Sequence, residues 1–359
     1  MKTKDDSRFK QLLALEKKLG CCWTHISEAA VLSDQKIESL KSLVVPEFGR
    51  PFVEDAAIVF FGSVARGECT SHSDADWIVL VDGQVDEQHF RAYQNIRKVL
   101  IGAGEIPPGS SGLFGGLAFS HDIVHRIGGQ DDSNRNLTLR MLLLLESIAI
   151  GDDIVRQRVI SAILRRYLAD DPSWTFRTDG KIPRFLLNDC VRFWRTMTVD
   201  FADKFHDQTG EKWALRNTKL RFSRKLIFLT SLLACFSWQL REAQSGNRAS
   251  EHWAEEAQLH FISYLSRPPL EIVADELLFG SIADSTCSKI MCSYDEFLSI
   301  LGDEKLRAQL SELPRDLAGK NEIFQHIREL SHTFRDGLTE WLFDTNSQLF
   351  PLVRDYALF

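Results

Sequence analysis

The 359-residue chain has 44% hydrophobic and 26% charged residues, which excludes a disordered protein and allows one large domain or two of ordinary size. Its longest apolar runs, 141–150 and 226–235, are shorter than the roughly 20 residues that span a bilayer, and the charged N-terminus is unlike a signal peptide, so we expect a cytoplasmic protein without membrane insertion. The net charge of −7 argues against a general nucleic-acid coat, but residues 177–225 hold twelve Lys and Arg against six Asp and Glu, which indicates a basic face.

Apolar periodicity predicts three helices in the first part of the chain, over 7–20, 33–43 and 87–101. Ser33 is the expected N-cap of the second helix. Short apolar runs rich in strand formers predict two strands, at 56–62 and 77–82.

A glycine- and proline-rich loop is expected over 102–116, and residues 118–127 fit either a strand or a helix. From Leu137 onward, periodic apolar stretches predict helices almost to the end of the chain. The expected fold class is α+β, with a small mixed-sheet domain followed by a mainly helical domain. The expected boundaries are an N-terminal helix at 1–20, the sheet domain at 21–150, and the helical domain with a C-terminal tail at 151–359.

The segment "FFGSVARGECTSHSDADWIVLV" carries the chemistry of the first half. Asp74 and Asp76 are two residues apart at the start of a predicted strand, so both carboxylates lie on one face. Such hard oxygen ligands suit Mg²⁺ or Mn²⁺. Gly62 lets the backbone approach a phosphate closely, and the hydroxyl of Ser63 can donate to a phosphate oxygen. The alternative is a solvated acidic turn.

Residues 58–82 contain, in order, an apolar strand, a Gly-Ser pair, ten intervening residues, an Asp-x-Asp motif and a second strand. This order and spacing resemble the signature of the DNA polymerase beta-like nucleotidyltransferase superfamily. Members transfer a nucleoside monophosphate from a nucleoside triphosphate to a hydroxyl or phosphate and release pyrophosphate. The resemblance implies a catalytic, metal-binding role for Asp74 and Asp76, nucleotide binding at Gly62 and Ser63, and usually a third carboxylate from a later strand.

Asp122 is the candidate third carboxylate, since alternation around it fits a strand. The alternative makes Ser120 the cap of a short helix and Asp122 an acid of its first turn. Glu105, Asp131 and Asp132 are reserve candidates.

The basic segment offers candidates for binding the triphosphate. Arg192 and Arg195 share a predicted helix face with Asn188, and Asp189 lies beside them. The resemblance adds Lys219 and Lys225, because lysines on a helix after the catalytic half often meet the triphosphate in this superfamily. Solvated side chains or a strip facing nucleic acid are the alternatives for these residues.

Near the C-terminus, Tyr356 is a candidate acceptor hydroxyl, and ordinary docking of an aromatic tail is the alternative. The architecture and tail resemble the nucleotidyltransferase of the bacterial Hailong anti-phage system, whose members make single-stranded DNA without a template from a C-terminal tyrosine. That resemblance implies DNA synthesis in antiviral defence, with a nucleoside triphosphate, a single-stranded product and an effector or toxin protein as partners. A protein-modifying enzyme of a toxin–antitoxin system and a catalytically silent nucleotide-binding protein are the alternatives.

Seven cysteines form no Cys-x-x-Cys pair, and we expect them to be reduced thiols.

Overall fold

The computed structural model describes residues 8–48, 55–105, 112–169, 171, 182–207, 212–245, 253–344 and 347–357. The chain divides into two compact units. The sheet unit comprises Ala30–Asp179 and Ala249–Ser266, and the helical unit comprises Met1–Ala29, Gly180–Arg248 and Arg267–Phe359. The expected α+β class is confirmed, whereas the predicted domain boundaries stay a prediction.

Four strands form one mixed sheet in the order β3-β2-β1-β4. They are β1 (Ala56–Phe61), β2 (Trp77–Val81), β3 (Leu117–Phe119) and β4 (Ser147–Ile150). β1 is antiparallel to both β2 and β4, and β2 is parallel to β3.

The helices that the structure describes are numbered α1 to α17 in chain order. They are α1 (Lys10–Leu19), α2 (Thr24–Phe48), α3 (Ser63–Arg66), α4 (Glu87–Gly102), α5 (Ser120–Val124), α6 (Asn134–Leu145), α7 (Ile154–Ala169), α8 (Arg184–Asp207), α9 (Trp213–Lys219), α10 (Lys225–Ser245), α11 (Trp253–Leu265), α12 (Pro269–Phe279), α13 (Asp284–Gly302), α14 (Glu304–Glu312), α15 (Arg315–Ala318), α16 (Glu322–Phe343) and α17 (Leu349–Leu352). Two π-helical turns, Leu220–Arg224 and Val353–Ala357, follow α9 and α17.

The sheet is buried on both faces. On one face, Leu40 of α2 and Ile96 of α4 join a core with Ile58, Phe60 and Trp77. Helix α7 packs against β1 and β2. Every residue of β1 and β2 is therefore buried, which explains why both strands are continuous apolar runs rather than alternating ones.

The helix predicted over 33–43 is the middle of a longer one, α2, and Ser33 is not its cap. Ser33 is fully buried, and its hydroxyl accepts a hydrogen bond of 2.9 Å from the backbone N–H of Cys69. Ser33 therefore bonds to the loop that contains Cys69 and does not cap a helix. A buried hydroxyl needs a hydrogen-bond partner, and this backbone N–H provides one. A local sequence rule cannot distinguish these two uses of serine.

The helix predicted from Leu137 ends at Leu145, and Ser147–Ile150 forms the edge strand β4. The uninterrupted apolar run has no period that separates helix from strand, so pairing with β1 decides the outcome. The ambiguous stretch 118–127 contains both structures, since β3 ends at Phe119 and α5 begins at Ser120.

The helical unit has an aromatic centre. Phe222, in the π-helical turn after α9, stacks on Phe297 of α13 and Phe334 of α16 at centroid distances of 4.6 and 5.3 Å. Helices α13 and α16 approach closely at Gly337, where a β-carbon would lie 2.9 Å from Cγ1 of Ile290. In the described part of the chain, no helix is both long and apolar enough to cross a membrane. The seven cysteines are free.

Candidate functional site

The Gly-Ser turn connects β1 to the single-turn helix α3. Gly62 has φ +73° and ψ −143°, a conformation open essentially to glycine alone. The carbonyl of Gly62 accepts from the N–H of Arg66, and Gly67, also at positive φ, ends α3. The turn is therefore tight, and Ser63 begins the helix directly beside the end of β1.

Asp74 and Asp76 lie just before β2 and keep the alternation of a strand. Ala75 and Trp77 belong to the core, while Asp74 is exposed and Asp76 is half-buried on the other side. The backbone carbonyl of Asp76 accepts a 2.9 Å hydrogen bond from the N–H of Phe61, which extends the pairing of β1 with β2. This pairing brings the aspartate segment to the turn.

The side chain of Asp76 also reaches the turn. A β-carbon at Gly62 would lie 4.0 Å from Oδ2 of Asp76, so this carboxylate borders the α-carbon of the glycine. Upstream, the N–H of Thr70 donates to Oγ of Ser73 and the N–H of Ser73 donates to the carbonyl of Thr70, which fixes the chain just before Asp74. Two carboxylates on one side of the chain, one of them exposed, are a donor set that fits Mg²⁺ or Mn²⁺.

The structure does not bring Asp122 to this pair. Asp122 lies in the first turn of α5, and its carboxylate pairs with Arg126 at 3.0 Å. Phe119, just before α5, is in register with Val81 at the end of β2, whereas Asp76 precedes the start of β2. Because strands rise about 3.3 Å per residue, these two ends are roughly 16 Å apart. Among the described residues, no group of three or more His, Cys, Asp or Glu could hold a metal ion.

Phe114 lies just before β3. The carbonyl of Trp77 accepts a 2.7 Å hydrogen bond from the N–H of Gly115, which has a φ of +72°, and the regular pairing of β3 with β2 begins only at Leu117. The ring of Phe114 packs on Phe61 at 5.4 Å. In the part of this segment that the structure describes, 112–119, there is no acidic residue, so a third carboxylate does not come from β3.

The three reserve candidates for the third carboxylate have other surroundings. Glu105 pairs with Lys36, and the carboxylate of Asp132 pairs with the buried guanidinium of Arg140 at 2.9 and 3.2 Å. Asp131 is exposed. Glu105 and Asp132 therefore balance nearby cations within the sheet unit.

A buried ion cluster next to the turn was missed in the sequence analysis. Arg66 of α3 donates from Nε to Glu68 at 2.8 Å and pairs through Nη1 with Glu146. The side chains of Arg66, Glu68 and Glu146 are 7%, 1% and 1% exposed. Since Glu146 immediately precedes β4, the cluster fastens the turn to the edge of the sheet. The available signal was two charged residues within "VARGEC", a segment otherwise made of small and apolar residues.

The basic candidates all belong to the helical unit. On α8, Nη1 of half-buried Arg192 donates to buried Asp189 at 2.8 Å, as expected from their spacing, and Arg195 is exposed. Lys219 ends α9, and Lys225 begins α10. Their roles in triphosphate binding stay predictions.

Tyr356 lies in the π-helical turn Val353–Ala357 and is half-buried. The guanidinium carbon of Arg184, at the start of α8, lies 5.2 Å from the centroid of its ring. This cation–π contact holds the phenol against the helical unit.

Replacing Gly62 with alanine is expected to lower the free energy of unfolding by about 1–3 kcal/mol, because alanine does not tolerate this backbone conformation. The variant should also bind nucleotide less tightly, since relaxing the strain moves the backbone beside Asp76. Chemical denaturation and nucleotide titration measure the two effects. Gly102→Ala is the matched control, because its β-carbon meets no atom within 4 Å and its φ is not positive. Equal stability of both variants would contradict the assignment.

Comparison with known proteins bears on the segment that contains the turn and the aspartates. Residues 41–106 match a family model described as "Nucleotidyltransferase domain". The match spans under a fifth of the chain and includes Gly62, Ser63, Asp74 and Asp76. None of the curated proteins compared with the chain matches it. The match supports nucleotidyl transfer as the general activity and implies a nucleoside triphosphate as substrate.

Proposed function

We propose that the sheet unit carries out Mg²⁺- or Mn²⁺-dependent transfer of a nucleoside monophosphate from a nucleoside triphosphate to a hydroxyl. The observation that carries this proposal is the approach of the Asp76 carboxylate to the Gly62 turn, within a segment that matches a nucleotidyltransferase domain. When bound, a divalent ion supplies activation of the attacking hydroxyl and offsets charge on the leaving group.

The residues of the chain divide the remaining work. Asp74 and Asp76 hold the ion with their carboxylates, and Gly62 leaves space for a phosphate next to the backbone. The hydroxyl of Ser63 donates to a phosphate oxygen. The acceptor oxygen bonds to the α-phosphorus as the bond to the bridging oxygen breaks. Pyrophosphate leaves with the electron pair of the broken bond on its oxygen, and the proton of the acceptor hydroxyl passes to solvent.

Tyr356 is our proposed acceptor for the first nucleotide. A phenol is a suitable nucleophile, and the half-buried ring contacts Arg184 at the start of α8. Template-independent growth of an oligonucleotide from this residue, in an anti-phage role, stays a prediction from the resemblance to the Hailong enzyme. Modification of a partner protein is the alternative with the same chemistry.

A nucleotide-binding protein without turnover is the second candidate. The observation that favours it is the packing of Phe114 on Phe61, whose N–H donates to the carbonyl of Asp76, within a described segment, 112–119, that contains no acidic residue. Such a protein would bind a nucleoside triphosphate and release no pyrophosphate.

One experiment separates these candidates. The full chain is incubated with Mg²⁺ or Mn²⁺ and each labelled ribo- or deoxyribonucleoside triphosphate, and products are resolved on a denaturing gel before and after protease treatment. Pyrophosphate release with label that runs with the protein until proteolysis supports transfer onto the chain. Nucleotide binding in a parallel titration, with no pyrophosphate under any condition, supports the silent binder.

Tyr356→Phe is expected to abolish protein-attached label, because it removes only the acceptor oxygen. The ring and its contact with Arg184 remain, so the fold should not change. Intact mass spectrometry of the protein after reaction measures the transfer. Tyr93→Phe, at another half-buried tyrosine, should keep the label. An added nucleotide mass on the Tyr356→Phe protein would exclude this residue as the acceptor.

A further inference from the structure

A cavity of about 220 Å³ lies within the helical unit between α8, α10 and α16. Its walls are mainly apolar. Trp194 and Phe228 stack on each other at 5.3 Å along one wall, and buried Leu232 and Leu338 also line the cavity. Phe343 is 42% exposed, which places it toward solvent. The cavity offers a flat aromatic surface and mainly apolar walls.

Lys225 is the unusual member of the lining. It is half-buried at the start of α10 and has neither a hydrogen-bond nor an ion-pair partner among the described residues. Burial, with smaller contributions from Arg221 and Arg335, lowers the pKa of its ammonium to about 8. At neutral pH, most copies therefore carry a charged ammonium next to apolar walls without a counterion, an arrangement that costs free energy.

The other cation of the lining is differently placed. Arg335 is exposed, and its Nε and Nη2 both donate to Oδ1 of Asp336, at 3.0 and 2.8 Å. The positive charge of Arg335 is thus largely balanced by a neighbour. Asp336 also acts on Lys225 but forms no ion pair with it, so Lys225 is the less balanced of the two cations in the lining.

We propose that this cavity binds a compact monocarboxylate with a flat apolar body, its carboxylate on Lys225 and its body along Trp194 and Phe228. The cavity volume is below the roughly 300–1,000 Å³ of common ligand sites, which excludes a whole nucleoside triphosphate. A triphosphate also needs several donors, whereas the described lining offers one unpaired cation. The proposal gives Lys225 a ligand of a different class from the triphosphate for which the sequence made it a candidate.

Binding of 2-naphthoate to the full chain tests this proposal, with 2-naphthalenemethanol as the uncharged probe of similar shape. Calorimetric titration at pH 7 should give at least about tenfold tighter binding of the acid, as expected when an unpaired buried cation gains a charged partner. Lys225→Met should remove that preference, and Lys225→Arg should keep part of it. Lys289→Met, at an exposed lysine paired with Glu340, should leave both affinities unchanged.

The pH dependence gives a second readout that needs no variant. The charged groups that act on Lys225 are Arg221, Arg335 and Asp336, and its own ammonium, with a pKa of about 8, loses its proton between pH 7 and 9.5. Naphthoate affinity in the wild-type protein should therefore fall about tenfold or more over this range as the ammonium loses its proton. Alcohol affinity should stay constant.

Equal binding of acid and alcohol, an unchanged preference in Lys225→Met, or no binding of either probe would overturn the proposal. We expect Lys225→Met to fold stably. Because the pKa of Lys225 is lowered on folding, its charge destabilises the folded state fully below about pH 8, and the penalty fades towards the unfolded pKa near 10.5. Lys225→Met should accordingly raise the melting temperature at pH 7, with a smaller gain at pH 10.

Discussion

Asp76→Asn is expected to lower the rate of nucleotidyl transfer by at least about 10²–10³-fold, the usual cost of losing a group that organises charge in the transition state. The substitution keeps the size of the side chain and removes its negative charge. The hydrogen bond from Phe61 to the carbonyl of Asp76 is made by the backbone and persists. The melting temperature should therefore change little while pyrophosphate release is lost.

Asp122→Asn is the matched control for this experiment. Asp122 is part of an ion pair with Arg126 on α5, and both side chains are at least 39% exposed. Such a pair contributes about 0–1 kcal/mol, so the variant should keep its stability and its rate. Loss of activity in Asp122→Asn alone would show that this aspartate, and not Asp76, serves the reaction. Full activity in Asp76→Asn would refute the proposed metal site.

The sequence predicted β1, β2 and the turn between them because each depends on local chemistry. Alternation around Asp74 and Asp76 fixes their common side, and the apolar runs on both sides fix the strands that meet there. The approach of Asp76 to Gly62 then follows from antiparallel pairing of two adjacent strands. This part of the candidate site can be predicted from patterns of residues that are close together in the sequence.

Other features depend on contacts between distant segments. β4 is a strand because its four residues pair with β1, and the buried hydroxyl of Ser33 accepts from the distant backbone N–H of Cys69 rather than capping a helix. Asp122 lies at the far end of β2 because β3 is parallel to β2, a pairing that the sequence alone does not disclose. In each case the local sequence is compatible with two structures, and contact with a segment that is distant in sequence decides between them.

The cluster around Arg66 is the clearest example of such a long-range contact. Glu68 is two positions away from Arg66, whereas Glu146 is eighty positions away. Charged residues are ordinarily expected at the surface, and the small and apolar neighbours of Arg66 and Glu68 give no indication that Glu146 is their partner. The turn that carries Gly62 and Ser63 is thus supported by a residue from the end of α6.

Arg66→Met is expected to lower the free energy of unfolding by about 3–5 kcal/mol, the usual result of removing one partner from a buried ion pair. It leaves the carboxylates of Glu68 and Glu146 buried without their shared cation. Urea denaturation monitored by circular dichroism measures the loss. Arg91→Met is the control, because Arg91 and Glu87 form an ion pair in which both side chains are mostly exposed, and this change should cost at most about 1 kcal/mol.

Combining Arg66→Met with Glu146→Gln should recover part of the lost stability, since the double variant buries one charged carboxylate fewer than Arg66→Met. The coupling in this double-mutant cycle separates the ion pair from a general effect of substituting a buried arginine. Strictly additive losses would show that Arg66 and Glu146 are not energetically coupled. A coupled loss accompanied by weaker nucleotide binding in the folded Arg66→Met protein would show that the buried cluster also sets the position of the turn.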